Sequence, residues 1–207
     1  MKNKSLIYVF VAIFIVGGVY FILGRQTSIA PTHQTQESAS VTSAPAQPDS
    51  TDCTENPTPS QTEGPYYKSG SPLRNNIAEG ISGEILIITG YIYDKNCNPI
   101  SNAWLDFWQA DSNGVYDNAR YRLRGHQFAD EKGMYRLETI VPAQYGSRPA
   151  HIHVKVMPPN GPILTSQIYF PNDPKNQTDS IFNQELIMTV EASENVMQAE
   201  FNFVLNQ

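Results

Sequence analysis

The sequence predicts an all-β, antiparallel sandwich over residues 52–207. Three observations predict it. Apolar stretches of strand length recur between turn signals such as Asn96-Cys97-Asn98-Pro99, Asp111-Ser112-Asn113-Gly114 and Asp130-Glu131-Lys132-Gly133. Gly or Pro interrupts every segment that could be written as a long helix. Tyrosine is abundant, with eleven in the chain, which suits a β-rich core.

The chain has 207 residues and a net charge of -6. It carries no basic patch, which argues against nucleic acid as a partner. Lys2 and Lys4 precede Leu6–Leu23, eighteen residues without a charge. At about 1.5 Å per residue such a run reaches roughly 27 Å as a helix, close to the ~30 Å hydrocarbon core of a bilayer. Residues 1–24 therefore read as a signal anchor with its N-terminus cytoplasmic and the rest of the chain outside. Secretion after cleavage is the alternative, although Pro31 follows the small-residue site Ser28-Ile29-Ala30 and would hinder the cut. Residues 25–51, rich in Thr, Ser, Pro and Gln, read as a flexible stalk without enough apolar surface to fold.

The folded domain follows at 52–207, long enough for one core. Ile85–Tyr93 is the first strong strand, ended by the turn through Pro99. Ala103–Gln109, Gly133–Ile140, His151–Met157 and Ile163–Phe170 follow as strands, Phe182–Ile187 as a short helix or strand, and Met197–Leu205 as the last strand. Cys53 and Cys97 are the only cysteines. In an oxidising compartment an even pair bridges as a rule, which would tie the start of the domain to the first turn; two free thiols are the alternative.

The densest chemistry lies in Tyr145-Gly146-Ser147-Arg148-Pro149-Ala150-His151-Ile152-His153. Two of the four histidines stand here, two apart on a predicted strand, and so share one face. Alone, such a pair is more often two surface histidines than a metal site. Tyr145 opens the stretch, and Tyr116 lies beyond the turn that ends an earlier strand. Two phenolates and two neutral imidazoles suit Fe(III), whereas zinc takes Cys, His or carboxylate and calcium takes carboxylate and carbonyl oxygens.

Six ordered blocks then resemble one family, the intradiol ring-cleavage dioxygenases. They are Thr62-Glu63-Gly64-Pro65-Tyr66-Tyr67; Trp108-Gln109-Ala110-Asp111 through Gly114 to Tyr116; Asp130 through Gly133 to Tyr135; Val141-Pro142 to Tyr145; Arg148-Pro149-Ala150-His151-Ile152-His153; and Thr165-Ser166-Gln167-Ile168-Tyr169-Phe170. The resemblance implies a sandwich of the intradiol type with one Fe(3+) ion per domain, held by Tyr116, Tyr145, His151 and His153. It implies that Tyr145 also acts catalytically, leaving the metal when a catechol binds. Arg148 would stabilise charge on the ring, and Gln167 would line the same pocket. The substrates would be a catechol-type compound and dioxygen, and the product a muconate-type diacid. Tyr66 is equally a pocket wall or core; Arg124 and Gln127 lie where they could reach the pocket.

Only five residues separate Tyr145 from His151, Asp117 stands where Ser is common, and the N-terminal helical dimerisation segment of the catechol enzymes has no counterpart. A shallower pocket, suited to larger or lignin-derived catechols, is the expectation. The competing class is a non-catalytic extracytoplasmic sandwich that binds carbohydrate or protein and keeps a metal site. The two differ in colour, because tyrosinate on ferric iron is red-brown.

Overall fold

Most strands in this chain form where β-branched and aromatic residues alternate sides, and the turn residues between them set their ends. The structure, a computed structural model, describes residues 53, 56–191 and 196–207. The expected membrane helix (1–24) and stalk (25–51) lie outside the described residues. Among the described residues no helix is long and apolar enough to cross a membrane.

The strands are β1 (Ile85–Tyr93), β2 (Trp104–Gln109), β3 (Arg124–Phe128), β4 (Met134–Ile140), β5 (His151–Met157), β6 (Leu164–Tyr169), β7 (Thr189–Glu191), β8 (Met197–Glu200) and β9 (Phe203–Val204). One sheet runs β4-β1-β8-β7, with β9 also on β1; the other runs β3-β2-β5-β6. The core lies between them. Leu86, Ile88 and Ile92 of β1 and Leu137 of β4 face Leu105, Phe107, Ile152, Val154, Val156 and Ile168 of the second sheet, all fully buried. Gln109 stitches the layers, accepting from Thr139 Oγ1 at 2.8 Å and donating to the Ile140 carbonyl at 2.9 Å.

Two expectations need correction, and two strands were missed. The sandwich is not wholly antiparallel, because β1 pairs parallel with both β8 and β9. The chain crosses over before reaching β1's open side, so it runs in β1's own direction. The last strand is not continuous. The chain turns in at Phe201, whose carbonyl would lie 1.9 Å from a Cβ at position 90, and Gly90 leaves that space. Of the two forms expected for Phe182–Ile187, the short helix is the one found, a 3₁₀ helix at Gln184–Leu186. The strand β3 was missed because it lacks apolar alternation. Its inward position 125 must be Gly, since a Cβ there would lie 2.7 Å from Ile77 Cγ2 and 2.9 Å from the Arg74 carbonyl. The three-residue β7 was missed too, being too short for a period to show.

The register of the second sheet matters most for function. Arg124, Trp108, His153 and Gln167 stand side by side across its four strands, on the face away from the core. His151 and Tyr169 form the neighbouring row. The disulfide between Cys53 and Cys97 is formed, tying residue 53 to the turn after β1.

Candidate metal centre

Period two puts His151 and His153 on the same outward face of β5, and both are buried. They are buried because the 61–71 segment and two loops lie over that end of the sheet. His151 Nδ1 donates to the Pro149 carbonyl at 2.7 Å, which leaves its Nε2 with a free lone pair. That Nε2 is 3.1 Å from His153 Nε2 and 3.3 Å from the Tyr116 hydroxyl. The His153 ring is stacked on Trp108, with centroids 4.8 Å apart and planes within 8°. Gly64 packs against its edge, where a Cβ would sit 3.3 Å from Cε1.

Tyr116 and Tyr145 reach this point from two loops that brace each other. Asp111 Oδ1 accepts from the Asn113 and Val115 amides at 2.9 and 3.0 Å and so folds the first loop. Gly114 adopts φ +75°, and a Cβ there would strike the Gln144 carbonyl at 2.4 Å, so only Gly lets the loops touch. Asp117 accepts from the Ala119, Arg120 and Arg122 amides and shapes the chain beyond Tyr116. Tyr145-Gly146-Ser147-Arg148 is a tight turn closed by an Arg148 N–H to Tyr145 O bond of 2.8 Å. Asp173 holds both flanks, taking the Gln144 amide at 2.7 Å and the Ala150 N–H at 2.9 Å.

The structure thus gathers Tyr116, His151 and His153 within hydrogen-bonding distance and sets the Tyr145 ring 5.5 Å from Tyr116, edge to face. The Tyr145 hydroxyl meets the hydroxyl of Tyr66. Tyr66 also stacks on Tyr116 at 4.4 Å, so it belongs to the site, a role the sequence left even with core packing. Arg148 is present, but its guanidinium is engaged. Nε pairs with Asp179 Oδ2 at 2.9 Å, and one terminal nitrogen donates to Gln167 Oε1 at 2.7 Å and Tyr169 Oη at 3.0 Å. Gln167 does not line an open pocket as expected. It is fully buried and its Nε2 donates to the Thr62 carbonyl at 2.9 Å, because β6 is covered by the 58–62 segment. Gln127 faces inward, away from this cluster. Arg124 is buried in the same row, clamped on the Asp117 carbonyl by Nε and a terminal nitrogen at 3.2 and 3.0 Å. Asp179, Asp173 and Trp108 were not singled out from the sequence. Only Trp108 carried a signal there, through its block.

Burial drives the electrostatics. It lowers His151 to about 4 and holds His153 well below the ordinary imidazole range, so both rings are neutral at pH 7. It pushes the Tyr116 phenol up, against the pull of Arg148 and Arg124. Hydrogen bonding to Tyr145, then burial, raises Tyr66.

A mostly β, two-sheet protein with two buried imidazoles on one sheet face and two phenols beside them fits one class, the proteins that hold a single metal ion through oxygen and nitrogen. The comparisons narrow that class. A family model described as Dioxygenase (Dioxygenase_C) matches residues 62–207. The chain is 31% identical to the catechol 1,2-dioxygenase of Acinetobacter baylyi, over 68% of this chain and 55% of that one. It is 27% identical to the chlorocatechol 1,2-dioxygenase of Rhodococcus opacus, over 72% of each. The dioxygenase domain of a dioxygenase–carbohydrate-binding protein fusion from Streptomyces sp. SirexAA-E superposes with a TM-score of 0.71 at 43% identity, covering 73% of this chain and 99% of that domain. The chain belongs to the intradiol ring-cleavage dioxygenase family. It spans about half the length of the catechol 1,2-dioxygenases it matches, 55% and 51% for two of them.

The family's non-haem Fe(III) fits these residues. Two imidazole Nε2 atoms face each other at 3.1 Å, both rings are neutral, and His151 already has Nδ1 committed elsewhere. That is the protonation state a metal-binding imidazole needs, and a hard trivalent ion is the partner that takes protons from buried phenols.

Proposed function

We propose that this protein is a non-haem ferric intradiol dioxygenase, opening a catechol-type ring between its two hydroxylated carbons and inserting both atoms of dioxygen. Catechol plus dioxygen balances to a muconate-type diacid with no outside reductant. The observation that carries this reading is the meeting of the Tyr116 hydroxyl and His153 Nε2 at His151 Nε2, 3.3 and 3.1 Å away, with the Tyr145 ring beside Tyr116. Those four would hold the ferric ion. The ferric ion, when bound, supplies Lewis acidity and a template for the two catechol oxygens.

The chain's own residues do the rest. His151 and His153 stay neutral and fixed, one by the Pro149 carbonyl and one by the Trp108 stack. Tyr116 is enclosed and stays in place. Tyr145 is half-exposed, and its hydroxyl has a second partner in Tyr66, so it can move off and receive a proton from the substrate. Arg148 meets the negative charge that develops on the ring, a stabilisation of the oxyanion-hole kind. Gln167 acts through Arg148, holding it by Oε1.

The domain works outside the cytoplasm, tethered through residues 1–24 and a stalk at 25–51, or secreted. The uncharged Leu6–Leu23 run and the Cys53–Cys97 disulfide support this placement, since such bridges persist in oxidising compartments.

The test is a visible spectrum and oxygen uptake on iron-loaded full-length protein. A red-brown tyrosinate charge-transfer band is expected, lost or shifted in Tyr145→Phe and His153→Ala. Uptake of one dioxygen per catechol, with both labelled oxygen atoms in the diacid, is expected for some member of a panel that includes larger, lignin-derived catechols. A colourless iron-loaded protein with no uptake on any catechol would overturn the reading.

A further inference from the structure

We infer that Asp179 is a positioning residue for ring opening, acting through Arg148; this rests on the function proposed above. Asp179 lies in the loop after β6, thirty-one positions beyond Arg148 and past every sequence block that carries the family resemblance. Its side chain is only 4% exposed, against 21% for Arg148, and Oδ2 sits 2.9 Å from Arg148 Nε. A carboxylate taken out of water is costly unless it is paired. Its other side-chain contact is a long one, 3.5 Å from Oδ1 to the Ile181 amide, so the ion pair is what the buried charge does.

The pair is one wall of a cradle. Arg148 also donates from a terminal nitrogen to Gln167 Oε1 at 2.7 Å and to Tyr169 Oη at 3.0 Å, both on the outward face of β6. Tyr169 Oη in turn donates to Gln61 Oε1 at 2.6 Å, and Gln167 Nε2 to the Thr62 carbonyl at 2.9 Å. β6 thus holds the terminal nitrogen, and Asp179 holds Nε. A planar guanidinium gripped at both places has one orientation. Without Asp179 the group could pivot about its β6 contacts. Arg148 follows Tyr145 by three residues and precedes His151 by three, so a pivot there turns its charge relative to the ring being opened. Groups that stabilise a transition state are effective in proportion to how firmly they are aimed beforehand.

The experiment is a double-mutant cycle in iron-loaded full-length protein, with Asp179→Asn and Asp179→Ala, each alone and combined with Arg148→Gln. Asp179→Ala should lower kcat/KM for catechol roughly 10- to 100-fold, mostly in kcat, with Asp179→Asn in between. Iron content and the resting charge-transfer band should match wild type, since no ligand is touched. In the Arg148→Gln background the Asp179 changes should add nothing. Unchanged kcat/KM in Asp179→Ala, an additive loss in the cycle, or loss of iron in both variants would overturn the inference, the last by making Asp179 a folding element. If wild type itself opens no ring, the function proposed above has failed instead. The cycle is then read as affinity for 4-nitrocatechol without dioxygen, where additivity again overturns the role of Asp179.

Discussion

Lowering the pH of the metal-free protein in steps from about 7 to about 4.5 tests the electrostatics of the histidine pair. His151 is held neutral by burial, its ordinary value of 6.5 lowered to about 4. In the unfolded chain the same imidazole takes up its proton near pH 6.5. Below that pH the unfolded state binds more protons than the folded one, so stability falls as pH falls. The loss from His151 starts near pH 6.5 and is complete near pH 4. Lowering that imidazole from 6.5 to about 4 is worth about 3 kcal/mol from this one side chain, at about 1.4 kcal/mol per tenfold change in proton affinity. His153, lowered by burial and then by His151, adds in the same direction. Asp94, held down mainly by its bond to Asn98, loses its contribution only below the ordinary value of 3.8. Asp106, pushed up by burial, gains stability as pH falls and offsets part of the loss, so the His151→Gln difference isolates the imidazole. Against a typical domain stability of about 5–15 kcal/mol the effect is large. Urea midpoints at each pH measure it, with His151→Gln as the control whose slope should fall by up to one proton, about 1.4 kcal/mol per pH unit. A midpoint that stays flat between pH 6.5 and 5 would refute the reasoning, because it would mean the imidazoles are hydrated and free to charge.

Two further outcomes follow from the geometry. Gly114→Ala combines a left-handed φ of +75° with a Cβ placed 2.4 Å from the Gln144 carbonyl. It should destabilise by roughly 1–3 kcal/mol and weaken the tyrosinate band of the iron-loaded protein, because the Tyr116 and Tyr145 loops must part; a wild-type melt and spectrum would show that the contact is dispensable. Cys53→Ser removes a bridge spanning 44 positions and should lower stability in urea by about 4 kcal/mol at most, with the charge-transfer band unchanged. Equal midpoints for wild type with and without reductant would argue against any such contribution.

Much of the centre was legible because its parts are local. Two histidines at i and i+2 share a face in any strand, and the β5 boundaries could be read from Pro149, the β-branched run and Pro158. Strands β1, β2, β4, β5 and β6 were legible to within a residue at either end, since each carries its own alternation and its own turn. Where the alternation failed, so did the reading. The strand Arg124–Phe128 has Gly and Gln on its inward side, and its presence depends on Trp108 and Asp106 offering a ladder beside it.

The sequence by itself determined which residues could carry the chemistry: the His151/His153 pair, the two tyrosines at loop ends and the arginine midway between Tyr145 and His151. Short-range period and turn chemistry encode these. Only the tertiary structure decided what those groups are held by. Trp108 under His153, Tyr66 against Tyr145 and Asp179 beside Arg148 are separated by 45, 79 and 31 positions. Such partners are chosen by sheet register and loop packing, which no local pattern records. The same register turned Gln167 from an expected pocket residue into a buried tether, because β6 lies under the segment that carries Thr62.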